Sequence, residues 1–222
     1  MGSVAIFCAY LQIALDDVTL EEALALVDRV KKYIDIIEIG TPLVYEYGMQ
    51  AVRIMKERFP DKEVLADMKI MDAGCYEAKQ ALRAGADYVT VLGVTDNRTI
   101  KGCAETAGKY GKEIVVDMIC VEQMEDRISV LEELGVHGLA VHTGTDQQAA
   151  GRTPLDDLKI MSSCVKNAKI SVAGGISAET VDKYAQYKPE VVIVGGGICH
   201  AQDPEQAAKS IYQKLRENKD EA

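Results

Sequence analysis

Short apolar runs recur along the whole chain, and each has the length of a β-strand. They are Leu11–Leu15, Ile36–Gly40, Glu63–Met68, Tyr88–Leu92, Ile114–Met118, Gly138–His142, Ile170–Gly174 and Val191–Gly195. Few polar residues interrupt these runs, which is typical of parallel strands that are buried on both faces of a sheet. The pattern therefore predicts eight parallel strands.

The segments between the runs have the apolar spacing of helices. In the first of them, apolar residues recur at three- and four-residue intervals from Leu20 to Val30, and Thr19 with Glu22 forms a capping-box pattern. Successive runs begin 21 to 32 residues apart, which is the length of one strand–helix unit. Eight such units predict a (β/α)8 TIM barrel, a single domain over residues 1–222, with residues 1–10 as an N-terminal extension of unassigned role. The alternative is a doubly wound open sheet, but eight nearly equal units favour closure.

Composition narrows the classes of partner. The 222 residues include 25 Lys and Arg against 35 Asp and Glu, a formal net charge of −10. A surface this acidic repels phosphate backbones and anionic lipids, so we expect no nucleic acid and no membrane as partner. The six cysteines form no CxxC pair, and no Lys or Arg precedes Arg29 as a signal peptide would require. We therefore expect reduced thiols and a cytoplasmic location.

Charged residues follow several of the predicted strands, at the end of the barrel where such folds place their chemistry. They are Asp16, Glu38, Asp67, Lys69, Asp72, Asp117 and His142. A charge that points into a barrel must be paired, metal-bound or functional. Asp67 and Lys69 lie two residues apart on an extended chain, so both side chains are expected on one side. Glu38 and Asp67 offer oxygen ligands from adjacent strands, which suits Mg²⁺, with Mn²⁺ as an alternative.

Two further features indicate an enzyme that acts on a phosphorylated substrate. His142 ends the sixth strand, and its imidazole suits general acid or base chemistry at neutral pH, although a lone histidine is more often structural. Gly174 and Gly175 follow the seventh strand, and Gly195 and Gly196 follow the eighth. Glycines there let backbone amides approach a phosphate, and these two loops are the usual phosphate site of the barrel.

The motif Asp67-x-Lys69-x-x-Asp72 resembles the hallmark of the orotidine-monophosphate decarboxylase suprafamily. The segment Asp35–Pro42 also resembles the suprafamily. The segments Tyr88–Thr95, Val116–Val121 and Val141–Gly151 are similar to one branch of it, and the string His-Thr-Gly-Thr-Asp-Gln-Gln-Ala-Ala-Gly is highly specific. The resemblance implies a Mg²⁺-dependent aldol reaction in which ribulose 5-phosphate and formaldehyde give D-arabino-hex-3-ulose 6-phosphate. It also implies a homodimer with shared active sites.

The resemblance assigns a role to each charged residue. Glu38 and Asp67 would bind the metal, and Lys69 would stabilise an enediolate. His142 would remove the proton from carbon 1, with Asp117 as the competing candidate for the base or as the group that orients His142. Asp16 would bind a substrate hydroxyl and Lys69, while Asp72 would reach into the partner's site.

Related activities remain as alternatives. Orotidine-monophosphate decarboxylases carry a lysine at the position of Glu38 and use no metal. In 3-keto-L-gulonate-6-phosphate decarboxylases, arginines stand where this chain has Thr145 and Gly196, and a threonine stands at Ala173. A ribulose-phosphate epimerase would need a histidine-rich metal site. A non-catalytic sugar-phosphate-binding barrel would need no base beside a metal, so the charged set disfavours it.

Overall fold

A computed structural model describes residues 8–217 and contains a closed barrel of eight parallel strands paired in chain order. The strands are β1 (Tyr10–Leu15), β2 (Ile36–Ile39), β3 (Glu63–Ile70), β4 (Tyr88–Leu92), β5 (Glu113–Asp117), β6 (Gly138–His142), β7 (Lys169–Ala173) and β8 (Val191–Val194). The predicted single-domain (β/α)8 barrel is confirmed. Strand β1 begins at Tyr10 and Ala9 is fully buried, so the barrel starts inside the segment predicted as an extension, of which residues 1–7 lie outside the described residues.

Helices connect the strands on the outside of the barrel. They are α1 (Leu20–Val30), α2 (Thr41–Tyr47), α3 (Met49–Arg58), α4 (Gly74–Ala84), α5 (Asn97–Lys109), α6 (Met124–Glu133), α7 (Thr145–Ala149), α8 (Leu155–Cys164), α9 (Asp182–Ala185), α10 (Gly196–Cys199) and α11 (Pro204–Glu217). The capping box at Thr19 and Glu22 is present. The long interval between β6 and β7 holds the additional short helix α7. Across residues 8–217, none of the helices is long and apolar enough to span a membrane.

Two apolar layers hold the barrel together. The larger fills the space between the strands and the helices, where residues such as Ile37, Val89 and Leu139 are fully buried. The smaller lies inside the barrel and consists of Ile36, Leu65, Val115, Ala140 and Val191, with Tyr88 and Ile193 packed against it. Because successive side chains of a strand alternate between the two layers, the residues that follow this inner layer along the strands line the cavity above it.

A hydrogen bond that repeats four times closes the amino-terminal end of the barrel. The residue directly before each even-numbered strand accepts the N–H of the second residue of the preceding odd-numbered strand. We call these contacts the basal locks: Asp35 with Leu11 (2.8 Å), Asp87 with Val64 (2.9 Å), His137 with Ile114 (3.4 Å) and Glu190 with Ile170 (2.6 Å). Each satisfies a backbone donor at a strand start.

Candidate active site

A cavity of about 750 Å³ opens at the carboxyl ends of the strands. All the predicted site residues except Asp72 line it: Asp16, Glu38, Asp67, Lys69, Asp117, His142, Gly174, Gly175, Gly195 and Gly196. Asp72 is exposed on the loop after β3, where its carboxylate accepts a hydrogen bond from the N–H of Ala73 at 2.7 Å. The fold therefore brings together every charged residue predicted for the chain's own site and directs Asp72 elsewhere.

His142 and Asp117 form a hydrogen-bonded pair on adjacent strands. The Nδ1 atom of His142 lies 2.9 Å from Oδ2 of Asp117, and Oδ1 of Asp117 accepts the backbone N–H of Ile119 at 2.9 Å. An ionised carboxylate only accepts hydrogen bonds, so Nδ1 of the neutral imidazole carries the proton and Nε2 keeps its lone pair. In this geometry Asp117 fixes the orientation of the His142 ring and leaves the Nε2 lone pair available.

The charge balance around Asp117 keeps this carboxylate ionised. Burial would raise the pKa of Asp117, but the hydrogen bond with His142 and the charge of Lys69 hold that pKa below its usual range. The Nζ atom of Lys69 lies 3.4 Å from the same Oδ2 atom that His142 contacts. One oxygen of Asp117 thus contacts both the imidazole of His142 and the ammonium of Lys69.

Lys69 also pairs with Asp67, although not for the predicted reason. The strand is not extended at Lys69, because its φ is +43° and the register between β3 and β4 shifts between Ala66 and Ile70. A left-handed conformation costs an ordinary residue about 1–2 kcal/mol. The bulge still places the Lys69 ammonium in contact with the Asp67 carboxylate. Burial would lower the pKa of Lys69, but Asp67 and Asp117 raise it above its usual value, so the ammonium stays charged.

Three carboxylates crowd the side of the cavity formed by β1, β2 and β3. Burial raises the pKa of Glu38 well above its usual value, and the charges of Asp67 and Asp16 raise it further. Burial and the charge of Asp67 likewise raise the pKa of Asp16. Gln12 donates a hydrogen bond to Oε2 of Glu38 at 2.6 Å and compensates part of this cost. A divalent cation bound here would reduce the repulsion among these carboxylates.

The cavity offers Mg²⁺ few protein ligands, but their number is within what this ion requires. Within residues 8–217, no group of three or more His, Cys, Asp and Glu side chains is arranged as a ready-made metal cage. Mg²⁺ is usually held by one or two carboxylates and completes its shell with water and substrate oxygens. Glu38 and Asp67 offer two such carboxylates on adjacent strands.

The glycines after β7 and β8 shape the part of the cavity next to β1, because β8 pairs with β1. Gly174 and Gly175 have φ values of +124° and +65°, and a Cβ atom at Gly174 would lie 2.8 Å from the carbonyl oxygen of Thr143. Gly195 caps the short helix α10, which Gly196 begins. Backbone N–H groups in the first turn of a helix have no partner within that helix and point outward. These loops can therefore offer amide donors to an anion.

Three polar residues of the site were not singled out by the sequence. Thr41 donates to Oδ2 of Asp67 and Thr90 donates to Oδ1, both at 2.7 Å, while Gln12 supports Glu38 as described. Each of them lies in or next to an apolar run. Two of them could have been found from the alternation of side chains along a strand. Gln12, Ala14 and Asp16 share the inward face of β1, and Glu38 on β2 and Thr90 on β4 face inward in the same way.

The charged residues at the carboxyl ends of the strands, and the glycine loops after β7 and β8, lie where TIM-barrel enzymes place their active site and, frequently, a phosphate-binding site. Residues 9–211 match the model of the orotidine 5'-phosphate decarboxylase / HUMPS family, and the chain belongs to that family. The predicted suprafamily and the prediction of an enzyme are confirmed.

Comparison with individual relatives shows how similar the chain is to particular enzymes of this family. The chain is 50% identical over 205 residues to 3-hexulose-6-phosphate synthase from Bacillus subtilis, covering 92% of this chain and 98% of the relative. The crystal structure of 3-hexulose-6-phosphate synthase from Salmonella typhimurium has a TM-score of 0.92 and 54% identity, covering 93% and 98% of the two chains. The structure of 3-keto-L-gulonate-6-phosphate decarboxylase from Vibrio cholerae has a TM-score of 0.83 and 29% identity, with coverage of 94% and 97%.

Proposed function

We propose that the protein is a metal-dependent aldolase that condenses D-ribulose 5-phosphate with formaldehyde to D-arabino-hex-3-ulose 6-phosphate through an enediolate. The observation that carries the proposal is the shared Asp117 oxygen, which lies 2.9 Å from His142 Nδ1 and 3.4 Å from Lys69 Nζ. A base and a cation held side by side are what proton removal next to a carbonyl requires. The identity of about half to relatives named 3-hexulose-6-phosphate synthase supports the same reaction.

Each residue has a defined task in this reaction. Nε2 of His142 removes a proton from carbon 1, and Asp117 stabilises the imidazolium that results. The Lys69 ammonium stabilises the developing enediolate oxygen. Carbon 1 then attacks the formaldehyde carbon, and the proton on His142 returns to the new alkoxide, so that atoms and charges balance. Asp16 positions a substrate hydroxyl.

Glu38 and Asp67 would hold Mg²⁺, or Mn²⁺ in its place, and the bound ion would act as a Lewis acid toward the substrate oxygens. Backbone amides of Gly174, Gly175, Gly195 and Gly196 would bind the phosphate. The substrate is thereby anchored at both ends, which leaves carbon 1 beside the base.

The test is the consumption of formaldehyde in the presence of ribulose 5-phosphate, with Mg²⁺, with Mn²⁺ and with excess chelator. We expect turnover that depends on both substrates and on the metal, and Glu38→Gln should lose the response to metal. Full activity in chelator would remove the metal from the proposal. Release of CO2 from 3-keto-L-gulonate 6-phosphate, without formaldehyde consumption, would show that the protein is a decarboxylase and would contradict the proposed aldolase activity.

We further propose a homodimer in which Asp72 enters the partner's active site. Asp72 is exposed and lies outside its own cavity, and several large apolar side chains in nearby parts of the sequence are exposed as well: Tyr45 (84%), Met71 (54%), Tyr76 (68%) and Val94 (46%). These residues all lie in the segments that follow β2, β3 and β4. Exposed apolar side chains become interaction surfaces where they form one patch, and the proposed interface would bring these residues together.

Complementation tests the shared site. Asp72→Asn and Lys69→Ala subunits should each be inactive alone, whereas mixing them should restore activity, because a hybrid dimer contains one site free of both changes. A monomer with full activity at the assay concentration would contradict the dimer.

A further inference from the structure

The backbone of Lys69 is held by a contact outside the regular strand ladder. Its φ of +43° falls at the shift in register between β3 and β4. There the N–H of Lys69 donates to the side-chain oxygen of Thr90 at 2.9 Å. Non-glycine residues keep a left-handed conformation only where the surroundings impose it. Thr90 supplies one such constraint.

The same hydroxyl also fixes the carboxylate of Asp67. Thr90 donates its proton to Oδ1 of Asp67 at 2.7 Å, while the other oxygen of Asp67 accepts from Thr41 and from Lys69. A hydroxyl has one donor and two acceptor sites, so a single Thr90 oxygen serves both partners. Thr90 is 6% exposed and Asp67 is 3% exposed. Water therefore has little access to replace either bond.

We infer that Thr90 is a positioning residue of the proposed aldolase, whose hydroxyl ties the Lys69 backbone to the Asp67 carboxylate. Without it, the Lys69 N–H and Oδ1 of Asp67 would both lose a buried partner, and unsatisfied buried groups are costly. Lys69, whose ammonium faces the enediolate, and Asp67, whose carboxylate is assigned to the metal, would then no longer be held by the same hydroxyl. The inference rests on the proposed function for its kinetic consequence and on the two hydrogen bonds for its structural one.

The substitutions Thr90→Val and Thr90→Ser separate the hydroxyl from the shape of the side chain. Valine keeps the volume and removes the hydroxyl, whereas serine keeps the hydroxyl. Thr106→Val is the matched control, because Thr106 is also 6% exposed and donates to the carbonyl of Gly102 at 2.7 Å inside α5, away from the cavity. Thr90→Ala is the second variant for the case that Thr90→Val does not fold.

Two measurements are needed, and the first is independent of activity. Exchange of the Lys69 amide hydrogen, followed by NMR, should be at least about 10-fold faster in Thr90→Val than in the parent and near the parental rate in Thr90→Ser. The kcat of Thr90→Val should fall about 10- to 100-fold, the usual effect of losing a group that orients a site residue. The KM for ribulose 5-phosphate should change by less than about threefold, since the phosphate is bound by the loops after β7 and β8. Thr90→Ser and Thr106→Val should keep the parental kcat.

The outcomes distinguish the possible failures. Parental kcat and parental Lys69 exchange in Thr90→Val would overturn the inference. Equal losses in Thr90→Ser and Thr90→Val would assign the effect to the methyl group and its packing, which also overturns it. An equal loss of kcat in Thr106→Val would assign it to general destabilisation. If the parent protein does not consume formaldehyde, the proposed function fails, while amide exchange still decides whether Thr90 holds Lys69.

Discussion

Asp87, at the amino-terminal end of the barrel, accepts hydrogen bonds from the N–H of Val64 at 2.9 Å and from Lys56 at 2.8 Å, and it pairs with Lys112. Glu38, at the carboxyl end, accepts one from Gln12 and lies near two further carboxylates. The two ends thus surround buried acids with opposite charges. The amino-terminal (lower) end pairs Asp87 with cations that stabilise the fold, whereas the carboxyl (upper) end keeps Glu38 beside like charges, which costs stability.

The largest difference between the two ends should be seen with two histidines. His142 is the proposed base at the upper end, and His137 belongs to a basal lock. We expect His142→Ala to slow the exchange of the carbon-1 hydrogen of ribulose 5-phosphate with solvent, without formaldehyde, by about 10² to 10⁴. His137→Ala should leave the exchange unchanged. The measurement is deuterium incorporation by NMR.

Asp117→Asn is the companion variant for that experiment. If Asp117 orients His142, its replacement should slow exchange less than the loss of His142 does. If His142→Ala exchanges at the parental rate while Asp117→Asn does not, the roles of these two residues are reversed.

Carboxyl-to-amide substitutions should lower the free energy of unfolding at the amino-terminal end of the barrel but not at the carboxyl end. Asp87→Asn weakens two ion pairs and a charged hydrogen bond, so we expect the free energy of unfolding to fall by about 2 kcal/mol. Glu38→Gln removes repulsion from Asp67 and Asp16, so in metal-free protein the free energy of unfolding should be at least that of the parent. Urea denaturation checks both values. A larger loss from Glu38→Gln than from Asp87→Asn would break the comparison.

The stabilisation by Asp87 should depend on pH in a defined direction. Burial would raise the pKa of Asp87, but hydrogen bonds from Lys112, Lys56 and Val64 hold it below its usual value. A carboxyl whose pKa is lower in the native than in the unfolded state stabilises fully above the unfolded value, about 3.9, and loses that effect as pH falls through the native value. The stability difference between the parent and Asp87→Asn should therefore be constant above about pH 5 and shrink in more acidic solution. A difference that grows on acidification would contradict this assignment.

The smallest effect is expected at the last basal lock. Glu190→Gln keeps an oxygen for the N–H of Ile170 but replaces a charged acceptor by a neutral one, so the loss should be about 0.5–1 kcal/mol. Thermal unfolding, with Glu205→Gln on the exposed surface of α11 as control, measures it. A loss as large as that of Asp87→Asn would show that the ion pairs of Asp87 contribute little.

The positions of the strands and of the charged site residues were predictable because both follow from local pattern. Apolar runs identified the strands, and Asp16, Asp117 and His142 stood out because charged residues ended those runs. The conformation of Lys69 was not predictable, since it depends on a contact with Thr90 on another strand. The contact of Asp117 with His142 likewise depends on the pairing of β5 with β6, which places Asp117 opposite Ala140 and within reach of His142.

The basal locks divide the barrel into four units of two strands, and each lock lies within one unit. A cut between Lys109 and Glu113 would leave two complete locks in each half. The first half would carry Asp16, Glu38, Asp67, Lys69 and Thr90, and the second Asp117, His142 and the four glycines. In the proposed reaction, the first half would supply the ammonium and the metal ligands that stabilise negative charge. The second half would supply the base and the loops that bind the phosphate. Neither half would hold the complete site, because the Lys69 ammonium of the first half lies 3.4 Å from the Asp117 carboxylate of the second. The proposed reaction would therefore require the two halves to associate.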